Sequence, residues 1–237
     1  MRYKRIFEYT CMNKLRLVIL PLLFVALCAG AQEQVREISD DVQPQPADTI
    51  YQGMSIKLDI AMPVLELARS AGKVQDYEMA LNVRLANRFY PTLELGYALA
   101  DLAADGGHYK GQGGFARVGI DLSALQKGVS ENCLMVGLRV SGAYQQFQIT
   151  DVPVYGDYWP AGKVDYFDQK HFDCWGEVVA GCQVQVWKGF QMGWYVRMKI
   201  LFTRTDKQGG ALPAYLPGFG YRRDTNWGLN YFLGYKF

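Results

Sequence analysis

Between residue 54 and the C-terminus, apolar and polar residues alternate with a period of two in eight separate stretches: 54–60, 77–85, 92–99, 116–122, 134–141, 173–186, 194–203 and 226–237. In the first, Met54, Ile56, Leu58 and Ile60 interleave with Ser55, Lys57 and Asp59; in the fourth, Ala116, Val118, Ile120 and Leu122 oppose Arg117, Gly119 and Asp121. Side chains of a β-strand point alternately to opposite faces, so each stretch reads as a strand with one apolar face. Helical periodicity shows only briefly, around Val64–Arg69. The chain is expected to be all-β, and its 237 residues suit one domain once a leader is removed.

Two architectures share this pattern, a soluble barrel with the apolar face inside and an outer-membrane barrel with it outside. Three features favour the second. The polar face carries mid-strand charges on nearly every strand: Lys57, Arg84, Arg117, Arg139, Arg197 and Lys199 against Asp59, Glu78, Glu94, Asp121 and Glu177. Six positive and five negative groups nearly cancel, which a buried polar network requires. Connections alternate between long (63–75, 101–113, 147–170, 204–220) and short (86–91, 123–133, 187–190), the outer-membrane asymmetry. Aromatics on the apolar face gather at strand ends, Tyr77, Tyr144, Phe202 and Trp227 at one rim and Trp194, Tyr235 and Phe237 at the other. The expected fold is an eight-stranded antiparallel up-and-down transmembrane β-barrel over residues 51–237. Eight strands leave an interior that side chains fill, so no open pore is expected.

The N-terminus fits this reading. Lys14 and Arg16 precede an apolar run from Leu17 to Leu27, followed by Ala29-Gly30-Ala31, the pattern of a secretory signal peptide cleaved after Ala31. The start codon is left between Met1 and Met12. Cys28 is not expected to be lipidated, because Leu27 stands where a small residue is needed. Residues 1–31 are the expected signal peptide, and residues 32–50, polar and acidic with Pro44-Gln45-Pro46, a flexible periplasmic lead-in. Cleavage leaves 20 basic and 22 acidic residues, so no basic stripe supports a nucleic-acid partner. Cys133, Cys174 and Cys182 survive; the last two, ~26 Å apart along one strand, cannot pair, and no CxxC spacing suggests zinc.

No constellation carries chemistry convincingly. Ser70, His108 and Asp105 form a triad only on paper, since Asp-Gly-Gly-His reads as a turn followed by a surface histidine. His108 and His171 with Asp105 or Asp173 make no better metal site. The glycine-rich run from Gly106 to Gly114 lacks the strand–turn–helix setting and lysine of a phosphate loop. Tyr155, Tyr158, Trp159, Tyr166 and Phe167 with Asp157, Asp165 and Asp168 form an aromatic-acidic loop suited to sugar or protein contact, or to packing on itself. Trp175 falls on the inward register at the same mouth. No catalytic residue, cofactor or metal is expected. The alternative, an outer-membrane enzyme acting on lipid A or phospholipid, would centre on His108.

The last strand places Leu229, Tyr231, Leu233, Tyr235 and Phe237 at every second position up to the terminus. It resembles the C-terminal assembly signal that the barrel-assembly machinery recognises in bacterial outer-membrane proteins; an edge strand with an aromatic side offers pairing groups to a partner edge. The segments YQGMSIKLD (51–59), ELARSAGKVQDYE (66–78), NRFYPTLELGYA (87–98), DCWGEVVAG (173–181), MGWYVRMK (192–199) and LPGFGYRRDTNWGLNYFLGYKF (216–237) together resemble a domain-of-unknown-function family of Bacteroidota envelope proteins. The resemblance implies a small outer-membrane barrel and supplies no reaction or ligand. The resulting expectation is a monomeric, non-enzymatic barrel of the cell envelope. Its partners would be outer-membrane lipid, lipopolysaccharide and the assembly machinery, and its role structural or surface-binding through long extracellular loops.

Overall fold

The structure, a computed structural model, describes residues 51–61, 73–85, 88–104, 107–123, 133–154, 162–203 and 211–237. The expected signal peptide and lead-in lie outside these residues, as do the helical stretch near Val64–Arg69, Ser70, Asp105, Tyr155, Asp157, Tyr158 and Trp159. The described residues form ten strands: β1 (Tyr51–Asp59), β2 (Lys73–Leu85), β3 (Phe89–Ala104), β4 (Gly107–Ser123), β5 (Cys133–Val154), β6 (Gly162–Trp187), β7 (Phe190–Leu201), β8 (Tyr215–Leu216), β9 (Gly220–Tyr221) and β10 (Thr225–Lys236). Eight of them form one antiparallel sheet in which every sequential neighbour pairs. β10 closes it against β1, with Ile56 opposite Tyr235 and Leu58 opposite Leu233. The chain is all-β, and its main sheet is a closed ring.

Parity then sorts every ring strand into two faces. On β4, Val118, Ile120 and Leu122 are exposed while Arg117 and Asp121 are buried. On β5, Leu134, Val136, Leu138 and Val140 point out while Met135, Arg139 and Ser141 point in. The outward face is thus apolar, while the interior holds the charged side chains together with buried aromatic and aliphatic ones. Close strand approach inside the ring demands small residues where long ones cross. A Cβ on Gly137 would fall on the Asp121 carboxylate and within 2.8 Å of the Ile120 carbonyl.

Three connections differ from the sequence expectation. Residues 101–104 and 107–113 are strand: β3 and β4 stay paired out to Ala104 opposite Gly107. Residues 147–154 and 162–170 are likewise the arms of a hairpin, with Val154 opposite Gly162 and two register shifts near Asp151 and Asp168, both at positive φ. The reason is that ladder hydrogen bonds need backbone groups and no apolar side chain, so pairing runs past the end of the amphipathic pattern. The β6–β7 turn is tight, with Lys188 and Gly189 between paired Trp187 and Phe190. The third difference concerns 204–220, expected as an outer loop. Its described part folds inward as the small β8–β9 sheet, with Leu216 and Phe219 buried.

Candidate functional site in the lumen

The interior side chains stack in layers, and the central layer is ionic. Glu94 of β3 sits at its middle: Arg139 Nε donates to Oε1 at 2.8 Å, and Arg197 Nη1 and Arg117 Nη1 donate to Oε2 at 2.6 and 3.0 Å. Arg117 Nη1 also pairs with Glu78 Oε2 at 2.6 Å, and Arg197 Nη2 donates to Glu78 Oε1 at 3.0 Å. Glu177 Oε1 lies 2.9 Å from Arg117 Nε as an ion pair and accepts the Trp175 indole N–H at 2.6 Å. Arg139 holds Asp121 bidentately, Nη1 to Oδ1 at 2.7 Å and Nη2 to Oδ2 at 2.9 Å, in the fork geometry that only a guanidinium supplies. Asp121 also accepts from the Thr92 hydroxyl, and Thr92 accepts in turn from Asn82.

These groups come from the inward registers of six strands, β2 to β7, which is why no linear motif links them. Arg197 and Glu78 lie 119 residues apart in the chain. Three arginines and four carboxylates are buried together, a charge layer that tolerates dehydration because almost every lone pair meets a donor.

The other charges predicted on this face are placed differently. Lys57 is buried at the short-turn end, its ammonium 4.5 Å from the Phe232 ring centre and 3.0 Å from the Tyr195 hydroxyl. Those two rings belong with Tyr90, Met135 and Val179 to one buried apolar cluster. Asp59 is half-buried and bonded to Asn230, whose amide also reaches Glu78 at 3.4 Å. Arg84 is half-buried with its guanidinium 5.9 Å from the Tyr90 ring centre, away from the central layer. Between these parts lies a cavity of about 10 Å³, room for about one water, lined by Lys57, Asp59, Glu78, Glu94 and Arg197 among others.

Above the ionic layer, Lys199 of β7 makes its hydrogen bonds to backbone carbonyls. Its Nζ donates to the Gly218 carbonyl at 2.6 Å and lies 3.4 Å from that of Phe219. Arg117 Nη2 donates to the same Gly218 oxygen at 2.7 Å. The turn that carries these carbonyls packs Leu216 and Phe219 against Phe115, Ala143 and Trp175, with Phe219 edge-on to Trp175 at 5.6 Å. Higher still, Tyr109 stacks on Phe147 and donates to the Tyr215 carbonyl at 3.0 Å. Asp173, buried, takes Arg222 at 3.1 Å and lies 3.4 Å from His171. No sequence motif announced this inserted turn; the one pointer to it was Trp175, placed on the inward register at the mouth as part of a plug.

The chemical candidates outside the lumen do not assemble. His108 Nε2 is 2.6 Å from Asp101 Oδ1 on the neighbouring strand, in an exposed pair; Ser70 and Asp105 lie outside the described residues. The loop carboxylates are used within the β5–β6 hairpin, where Asp165 accepts from the Asp151 amide and Asp168 from Gln146, while Phe167 stays exposed. Lys163 donates to Asp151 at 2.7 Å and holds its carboxyl below the usual aspartate range. Cys174 and Cys182 are free thiols. At the terminus, Leu229, Tyr235 and Phe237 are exposed on the outer face, and Leu233 pairs opposite Leu58 of β1 and Met192 of β7. Tyr231 is half-buried on the same register, its hydroxyl 3.4 Å from the Met192 sulfur. No curated protein matches the chain. One family model, described as a domain of unknown function (DUF6048), matches residues 13–237.

Proposed function

We propose, from the premise that the chain belongs to the DUF6048 family of domains of unknown function, that it is a small outer-membrane β-barrel of a Bacteroidota cell envelope. Its role is non-enzymatic, structural or surface-binding. The observation that carries the reading is the pairing of an apolar outer face with an ionic, side-chain-filled lumen. Val140, Leu138, Leu229 and Trp227 are each 60% exposed or more, whereas Arg117, Glu94 and Asp121 are at most 1% exposed. In water this arrangement is unfavourable twice over, exposing a large apolar band and burying charge; in a bilayer the first cost becomes a gain.

The height of the band supports the same reading. From Leu134 to Tyr144, and from Trp227 to Phe237, the outward apolar register covers ten residue steps. At ~3.3 Å per residue and a tilt of about 40°, that is ~25 Å along the ring axis, the height of an outer-membrane apolar band. Tyr77, Tyr97, Tyr144, Phe172 and Trp227 are exposed towards one rim, and Tyr235 and Phe237 towards the other, as interfacial girdles require. A closed ring also leaves the spanning backbone without an unpaired edge.

Cell fractionation tests the proposal. The protein should lose residues 1–31, sediment with outer membranes, resist carbonate extraction, and migrate faster on gels when unheated. Recovery in the soluble periplasm refutes it.

A further inference from the structure

We infer that the mouth of the ring is a binding site for a small anion bearing an apolar group, and that the turn Leu216–Gly220 of the chain itself now occupies it. Lys199 points there. It is 8% exposed, and among the described residues its ammonium, unlike Arg117, Arg139 and Arg197, has no carboxylate partner. Its partners are two backbone carbonyls of the turn. An ammonium hydrogen-bonded only to neutral acceptors, with Glu177 and Glu78 attracting it from beyond ion-pair distance, recovers only part of its desolvation cost.

The donors around it are arranged for an oxyanion. Lys199 Nζ and Arg117 Nη2 converge on the single Gly218 oxygen, at 2.6 and 2.7 Å. Two cations aimed at one acceptor form charge-assisted bonds to a carboxylate or phosphate oxygen, about twice as strong as those to a neutral carbonyl. Beside this point stands an apolar wall, Phe115 and Trp175, both on ring strands and both buried. Leu216 and Phe219 fill it. The turn therefore supplies a neutral copy of each half of the ligand: an oxygen for the cations and hydrocarbon for the wall.

The occupant fits closely and is held by little secondary structure of its own. Gly218 has φ +72°, and a Cβ there would lie 2.7 Å from the Phe115 ring and 3.0 Å from Arg117 Nη2. The wall and the cations sit in long strands of the closed sheet, whereas the turn links two strands of two residues each. A ligand combining a full negative charge with an aryl or alkyl group meets the same contacts with stronger bonds and displaces the turn. The inference goes beyond the membrane placement and does not depend on it.

The test uses the full folded chain in uncharged detergent, titrated calorimetrically with 3-phenylpropionate. 3-Phenylpropanol and inorganic phosphate serve as probes lacking the charge or the apolar group. Saturable one-to-one binding of the carboxylate is expected, with both other probes about tenfold weaker or more, the loss of a charge-assisted bond. Chymotrypsin cleavage at Tyr215 or Phe219 should accelerate over the same concentration range. Lys199→Met should weaken binding about tenfold, and Lys199→Arg should retain it. Should Lys199→Met fail to fold, the wild-type comparison of carboxylate with alcohol decides alone. Absence of saturable binding, an alcohol or phosphate bound as well as the carboxylate, or an unaffected Lys199→Met overturns the inference. Repeating the titration in phosphatidylcholine nanodiscs with and without phosphatidylglycerol separates the sources of the anion. Competition by phosphatidylglycerol assigns the site to a lipid headgroup, and its absence to a free anion.

Discussion

Truncating Arg139 to alanine removes three hydrogen bonds, and the two acids it serves are affected unequally. Glu94 loses one donor at 2.8 Å and keeps Arg117 and Arg197. Asp121 loses both arms of a bidentate pair and retains only Thr92 at 3.3 Å, with its side chain 0% exposed. The stranded Asp121 carboxylate therefore dominates, and a broken buried pair of this kind costs ~3–5 kcal/mol. The cost should fall largely away when the acid goes too. Arg139→Ala with Asp121→Ala is expected to be less damaging than the two single effects added together, by on the order of 2 kcal/mol. Val136 provides the contrast: it is 48% exposed on the outer face, and Val136→Ala in detergent or lipid should cost less than ~1.5 kcal/mol, since no buried cavity forms. Urea unfolding in uncharged detergent or in vesicles, followed by the loss of heat-modifiable gel mobility, measures all four proteins. An Arg139→Ala milder than Val136→Ala, or strictly additive Arg139 and Asp121 effects, refutes the reasoning.

Leu138→Arg should be severe in lipid, by ~2–4 kcal/mol, because Leu138 stands near the middle of the outward apolar band, and a neutral result there contradicts the membrane assignment. Gly137→Ala places a methyl group on the Asp121 carboxylate and should lower the unfolding midpoint, a strain of ~1–3 kcal/mol; wild-type stability would show that the two strands can separate freely. At the β5–β6 hairpin, the Lys163 hydrogen bond depresses the Asp151 pKa, so the favourable contact is fully present above the ordinary aspartate range and is lost as pH falls through the lowered value. An NMR titration should show Asp151 returning to ordinary behaviour in Lys163→Ala. Both groups are solvent-exposed, so the global unfolding midpoint should hardly move.

Parity was legible in the chain throughout. Arg117, Asp121 and Glu177 could be assigned to one face, and Val118, Ile120 and Val178 to the other, because a strand reverses side-chain direction at every residue. Within the inward set, finer placement was not legible. Lys57 and Arg84 stand among aromatic rings near the short turns, while Arg117 and Arg197 share Glu94 and Glu78, because depth along the lumen depends on register and tilt as well as on face. Residues 101–104, 107–113, 147–154 and 162–170 were misjudged as loop because their amphipathic signal ends where the apolar band ends, while the backbone ladder continues.

What the sequence by itself determined is the number of ring strands, their antiparallel order, and the chemistry of the two faces. All three follow from local rules, the two-residue repeat and the lengths between repeats. What only the tertiary structure decided is who meets whom across the lumen. Glu94 gathers arginines from β4, β5 and β7, and Gly218 delivers its carbonyl to Arg117 and Lys199 from a turn that folds back into the mouth. Closure of the sheet creates those distances. Until β10 pairs with β1, the inward charges have no common interior, and no spacing along the chain encodes which of them will become neighbours.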